Sequence, residues 1–127
     1  MVAKQNDIEV EAELLERQSV QCIQEKNWDT LEAMLDPACQ FVAKTGSYDR
    51  TSAMKLMKEM NLGPVEFKDF KVTQAGDNLI VSFWIAAIEY RDGTQLSPQF
   101  SPRLSVWKTK NGQRKCIAYA DLIVSKD

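Results

Sequence analysis

Over the first sixty residues apolar side chains recur every three or four positions, and from residue 65 onward they recur every second one. Ile8, Ala12, Leu15, Ser19, Cys22 and Ile23 mark one face of a helix running to about Glu25. Asn6, with Glu9 three residues on, reads as a capping box at its start. Asn27 precedes a shorter helix carrying Trp28, Leu31 and Leu35, stopped by Pro37. CQFVAKTGSY, residues 39–48, predicts a short strand with a turn at Gly46. Thr51 or Ser52 opens a third helix with Met54, Met57 and Met60, closed between Asn61 and Pro64.

Four strands follow in the alternating half: VEFKDFKVTQ, NLIVSFWIAAIEY, FSPRLSVWKT and RKCIAYADLIVS. Gly76-Asp77, Asp92-Gly93 and Asn111-Gly112 separate them and suit tight hairpin turns. Helices first and an antiparallel meander second predict one α+β domain over 1–127, with the helices on one side of the sheet.

The turns also predict a register. A two-residue loop at Asn111-Gly112 sets Lys110 against Gln113, Val106 against Ile117 and Leu104 against Tyr119. The same logic at Asp92-Gly93 sets Ile85 against Phe100 and Val81 against Leu104. One face then holds Phe70, Val72, Leu79, Val81, Phe83, Ile85, Phe100, Leu104, Val106, Ile117, Tyr119, Asp121 and Ile123, and is the expected seat of the helices. The other holds Ile80, Ser82, Trp84, Arg103, Ser105, Trp107, Cys116, Ala118 and Ala120. Pro98 and Pro102 are the weak point, because proline within a strand marks a bulge or break. A one-residue slip there would move Leu104 and Val106 opposite Ser82 and Ile80. Without the slip, Trp84, Trp107 and Ile80 form an apolar outer patch, with Arg103 on the same face, expected to join two copies sheet to sheet.

Charge removes several functions. The net charge is −2, and the cluster Lys108, Lys110, Arg114 and Lys115 flanks a turn, where solvation accounts for it, so a nucleic-acid partner is not expected. There is no histidine, which excludes His-based triads and His-ligated iron. Cys22, Cys39 and Cys116 are odd in number and widely spaced, so no metal site is expected. They read as buried free thiols of a cytoplasmic protein. The start lacks an apolar signal core and no apolar run reaches a membrane span, so no membrane partner is expected. Acid–base chemistry falls to Asp, Glu, Tyr, Lys or Cys with shifted pKa values.

NWDTLEAMLDPACQFVAKTGSYDRTSAMKLM and RLSVWKTKNGQRKCIAYADL resemble, respectively, the opening helices and the closing hairpin of the nuclear transport factor 2-like, or SnoaL-like, superfamily. The resemblance spans nearly the whole chain. It implies a cone-shaped, curved antiparallel sheet wrapped around the N-terminal helices (a cystatin-like α+β barrel), often homodimeric, with an apolar pocket inside. The superfamily includes ketosteroid isomerases, cyclases, dehydratases and non-catalytic domains, so fold leaves activity open. Look-alikes often carry His at the position of Tyr119, Asn at that of Asp121 and Trp at that of Arg114. These departures speak against a His-dependent dehydratase.

Two functions stay open. In the first, the protein is a cofactor-free isomerase or cyclase. Asp121 would exchange a proton next to a substrate carbonyl and Tyr119 would hydrogen-bond the developing enolate. In the second, it is a ligand-binding, dimerisation or accessory domain without chemistry, with Asp121 solvated at a strand end and Tyr119 a core aromatic. Phe41, Tyr48, Met54, Met57, Phe83, Phe100 and Glu89 are the expected pocket lining for a small apolar or amphiphilic molecule. Arg103 is assigned to the dimer interface, but a slip at the prolines would bring it into the pocket to hold a carboxylate.

Overall fold

The computed structural model describes residues 4–122, so Ile123 lies outside the described residues. Helix α1 spans Gln5–Glu25. Asn6 does not cap it: Lys4 stands at the cap without a side-chain bond. The Gln5 amide instead donates to Glu9 Oε1 at 3.0 Å and to the Val72 carbonyl at 2.9 Å, pinning the first turn to the sheet. The helix ends at Lys26, which turns left-handed (φ 57°). Helix α2, Trp28–Met34, runs straight into strand β1, Leu35–Ala43. It ends ahead of Pro37 because the residue before a proline prefers extended backbone. Strand β2, Gly46–Asp49, folds back on β1. Helix α3, Arg50–Lys58, is capped by Asp49, whose Oδ1 accepts the Ser52 N–H at 2.8 Å.

The remaining strands are β3 (Val65–Ala75), β4 (Asn78–Ala87), β5 (Tyr90–Arg91), β6 (Thr94–Gln95), β7 (Ser101–Lys110) and β8 (Gln113–Asp121). Six form one sheet in the order β2-β1-β8-β7-β4-β3, while β5 and β6 make a separate ribbon around Asp92-Gly93. The α+β class is as expected, with two corrections. The sheet is mixed, because β1 runs parallel to β8, and among the described residues β2 and β3 are its edges, so it does not close into a barrel there. Helix α1 packs on β3 and β4, α2 on β1 and β8, and α3 on β1 and β2. Among the described residues no helix is long and apolar enough to cross a membrane.

The register between β4 and β7 is the slipped one. Phe83 faces Arg103, Val81 faces Ser105 and Leu79 faces Trp107, whereas Ser82 faces Leu104 and Ile80 faces Val106. The turn at Asp92-Gly93 governs only its own short ribbon. The proline-bearing stretch between β6 and β7 contains no strand, so pairing counted from the turn does not carry through to β7. Arg103 and Trp107 are thereby moved from the predicted outer patch to the helix side, and Leu104 and Val106 to the outside. Trp107 is 1% exposed, against 40% for Leu104 and 37% for Trp84.

Asn111 (φ 53°) and Gly112 (φ 77°) form the expected turn, which pairs Lys110 with Gln113 and Trp107 with Cys116. A bulge at Ile117 then shifts the rest of β8, so Ser105 faces Tyr119 and Arg103 faces Asp121. The two one-residue shifts compensate. Tyr119 and Asp121 still face the helices, but beside Arg103 and Ser105 rather than Leu104. The basic cluster of this hairpin is engaged rather than simply solvated. Lys108 and Lys110 Nζ lie 3.0 and 3.7 Å from the buried Asp36 carboxylate, and Arg114 Nε donates to Glu11 on α1 at 2.9 Å. The Ala38 N–H and Lys108 hold the Asp36 carboxyl below the usual carboxylate range.

Candidate functional site

Between the helices and the concave side of the sheet lies a cavity of about 230 Å³. Leu31, Leu35, Phe41, Phe83, Met57 and Val20 are among the apolar residues of its wall. Of the expected lining residues, Phe41, Tyr48, Met57 and Phe83 reach it. Three do not. Met54 is buried in the core and is not in the cavity wall, where Ala53, Leu56 and Met57 are the α3 residues. Phe100 lies under the Lys68 ammonium, 4.1 Å from its ring centre. Glu89 is exposed at the small ribbon, its backbone carbonyl accepting the Leu96 N–H at 2.8 Å. Of the predicted interface set, Trp84 stays outside, whereas Trp107 and Arg103 line the cavity.

Polar groups gather at two levels. Nearer solvent, the β7 slip and the β8 bulge bring Arg103, Tyr119 and Asp121 together. Arg103 Nη1 lies 3.1 Å from Asp121 Oδ2 and donates to the Tyr119 hydroxyl at 3.4 Å. Arg103 Nε and Nη2 also donate to Ser101 Oγ, at 3.3 and 3.0 Å, which orients the guanidinium. Asp121 is 21% exposed at its side chain, yet its Oδ1 is buried without a hydrogen-bond partner among the described residues. Burial raises the Asp121 pKa while Arg103 opposes the rise. Burial pushes Tyr119 up to about 12, so its hydroxyl remains a proton donor at neutral pH. Its ring packs on Phe41 at 5.7 Å between centres.

Deeper in, Glu16 of α1 meets Ser105 and Trp107 of β7. Trp107 Nε1 donates to Glu16 Oε2 at 2.8 Å, and Ser105 Oγ donates to Oε1 at 3.2 Å. Glu16 is 2% exposed, and among the described residues no Lys or Arg makes an ion pair with it. Desolvation raises its pKa to about 7 against the pull of the two donors. Glu16 escaped the apolar-stripe reading because a carboxylate there reads as a polar interruption. The available signal was the four-residue spacing Ile8–Ala12–Glu16, which places it on the buried face. Cys116 also borders the cavity, and burial pushes its thiol far up, away from nucleophilic reactivity. The three cysteines are buried and free.

No protein-family model and no curated protein matches the chain by sequence. Solved structures do match it in shape. An NTF2-like protein from Cytophaga hutchinsonii superposes with a TM-score of 0.77 at 22% identity, covering 96% of this chain and 100% of that one. The association domain of C. elegans CaMKII gives 0.78 at 14% identity, covering 92% and 96%. An NTF2-like protein of unknown function from Pseudomonas putida KT2440 gives 0.74 at 16%, covering 94% and 89%. With TM-scores of this size and near-complete coverage at identities this low, the likeness is one of backbone architecture: this chain has the NTF2-like, nuclear transport factor 2-like, fold.

Proposed function

We propose that the protein is a homodimeric pocket protein that binds a small apolar or amphiphilic organic molecule, its polar end against Arg103, Tyr119 and Asp121. The observation that carries this reading is the buried Oδ1 of Asp121, without a partner among the described residues, in the wall of an apolar cavity. A buried acceptor without a donor is costly, and a ligand hydroxyl or enol seated there would supply one. Tyr119, held protonated, would donate to a neighbouring carbonyl. A panel of small cyclic and aryl ketones and enols is expected to raise the melting temperature. A ligand at a hundredfold excess over its Kd adds about 2.7 kcal/mol. Tyr119→Phe should shrink the shift, and a panel with no effect at all would count against a ligand pocket.

A second reading, the cofactor-free isomerase or cyclase, draws support from the raised pKa of Asp121 beside that hydroxyl donor. It predicts exchange of the protons next to the carbonyl of a bound ketone for deuterium, followed by NMR. Asp121→Asn should abolish the exchange while leaving the thermal shift; exchange that persists in the variant removes Asp121 from the chemistry.

The dimer rests on the outer face of the sheet. Ile80, Trp84 and Leu104 stand exposed there, beside the half-buried Val106, Ala118 and Ala120. A contiguous apolar patch of this kind favours a partner surface, and association domains share the fold. Sedimentation equilibrium is expected to give twice the chain mass. Leu104→Lys should return the chain mass, and a wild-type monomer at high concentration would rule out the sheet-to-sheet dimer.

A further inference from the structure

The closed end of the cavity holds a charge arrangement that the binding reading above does not use. Arg103 and Asp121 compensate each other as an ion pair, and Tyr119 and Cys116 are neutral. Glu16 is the other carboxyl of the described lining, and its two contacts, Trp107 and Ser105, are neutral donors. An ionised cavity is therefore net negative. Each Glu16 oxygen accepts one bond and retains a second lone pair. The indole and hydroxyl hold the carboxyl in a set orientation without satisfying its charge. A buried carboxylate without a cation is unfavourable, so a cationic guest gains from pairing with it. The aromatic rings of Trp107, Tyr119, Phe41 and Phe83 border the same space and favour cations over their faces.

We infer that Glu16 is the seat for the ammonium group of an organic amine, so that the cavity selects apolar amines over neutral molecules of the same shape. Ser105 and Arg103 lie two residues apart on one face of β7, roughly 7 Å along the strand. A ligand with its amine at Glu16 therefore has its far end, a carbonyl or hydroxyl, at the Arg103–Tyr119–Asp121 level. The inference names the ligand class of the proposed pocket and so rests on that reading.

The test uses benzylamine as the cationic probe and benzyl alcohol as its neutral counterpart, with the Trp107 indole N–H followed by NMR. Benzylamine is expected to bind the wild type at least about tenfold more tightly than benzyl alcohol near pH 8. Its affinity should fall by up to about tenfold per unit as pH drops below about 7 and Glu16 takes a proton. Tyr119 and Cys116 stay protonated through this range, and Arg103 and Tyr48 face the same space. Any slope that survives Glu16→Gln belongs to Asp121. Glu16→Gln should bring the affinity for benzylamine down to that for benzyl alcohol. If Glu16→Gln does not fold, the wild-type contrast between the two probes decides alone. Equal binding of both probes at pH 8, or an amine preference that outlives Glu16→Gln, overturns the inference while the pocket reading stands. Failure of both probes to bind removes the pocket reading itself.

Discussion

Raising the pH from 5 to 8 is expected to destabilise the protein by about 2–3 kcal/mol through Glu16 alone, at roughly 1.4 kcal/mol per pK unit. The group has an ordinary value of 4.5 and a folded value of about 7. Between those values the native state holds a proton that the unfolded chain has released. The contribution is fully present below pH 4.5, declines as pH rises and is gone above about 7. Asp36 and Asp49 act in the opposite sense, because their folded pKa values are depressed. Their contribution is present above about 4 and lost only in stronger acid. The window from pH 5 to 8 therefore isolates the raised carboxyls, with Glu16 dominant. Urea denaturation at four pH values should show the decline, and Glu16→Gln should flatten it and exceed the wild type at pH 8. A flat wild-type profile would mean that Glu16 is ionised and compensated in the native state.

Trp107→Ala is expected to cost about 3–5 kcal/mol, the usual range for truncating a fully buried tryptophan. Its ring fills the junction of α1 and β7, and its indole N–H is the shorter of the two bonds to Glu16. Trp107→Phe keeps most of the volume and loses that bond, so a smaller loss of about 1–2 kcal/mol is expected. Without this donor the Glu16 pKa should climb further. Trp84→Ala, on the outer face, should cost less than about 1 kcal/mol in the isolated chain, where the ring is already part exposed. Any larger effect of Trp84→Ala should depend on protein concentration. Denaturation curves that reverse the order of the two tryptophans would require β7 to present its other face to the helices.

Much of the architecture could be read from local pattern. Helix α1 ends where the apolar period stops, and Asn111-Gly112 forms the expected turn and local pairing. These features depend on a few neighbouring residues, each with a strong conformational preference. The site was harder to read, because alternation along β7 does not by itself say which of its faces is buried. Arg103, Ser105 and Trp107 form one set, and Leu104 and Val106 the other. Apolar matching favoured the second set. The structure buries the first, because Glu16 from a distant helix supplies acceptors for Ser105 and Trp107. No residue near β7 in the chain signals that partnership.

Periodicity and turn residues were therefore enough to establish three helices, an α+β order and a meander with tight turns, since these follow from short-range sterics and solvation. The tertiary structure decided which face of each long strand looks inward, through the proline-linked offset of β7 and the bulge at Ile117. A shift of one residue costs little locally yet exchanges every side chain between core and solvent. Only the summed packing of helices against sheet selects between the two states, and that choice places Arg103, Tyr119, Asp121 and Glu16 around one cavity.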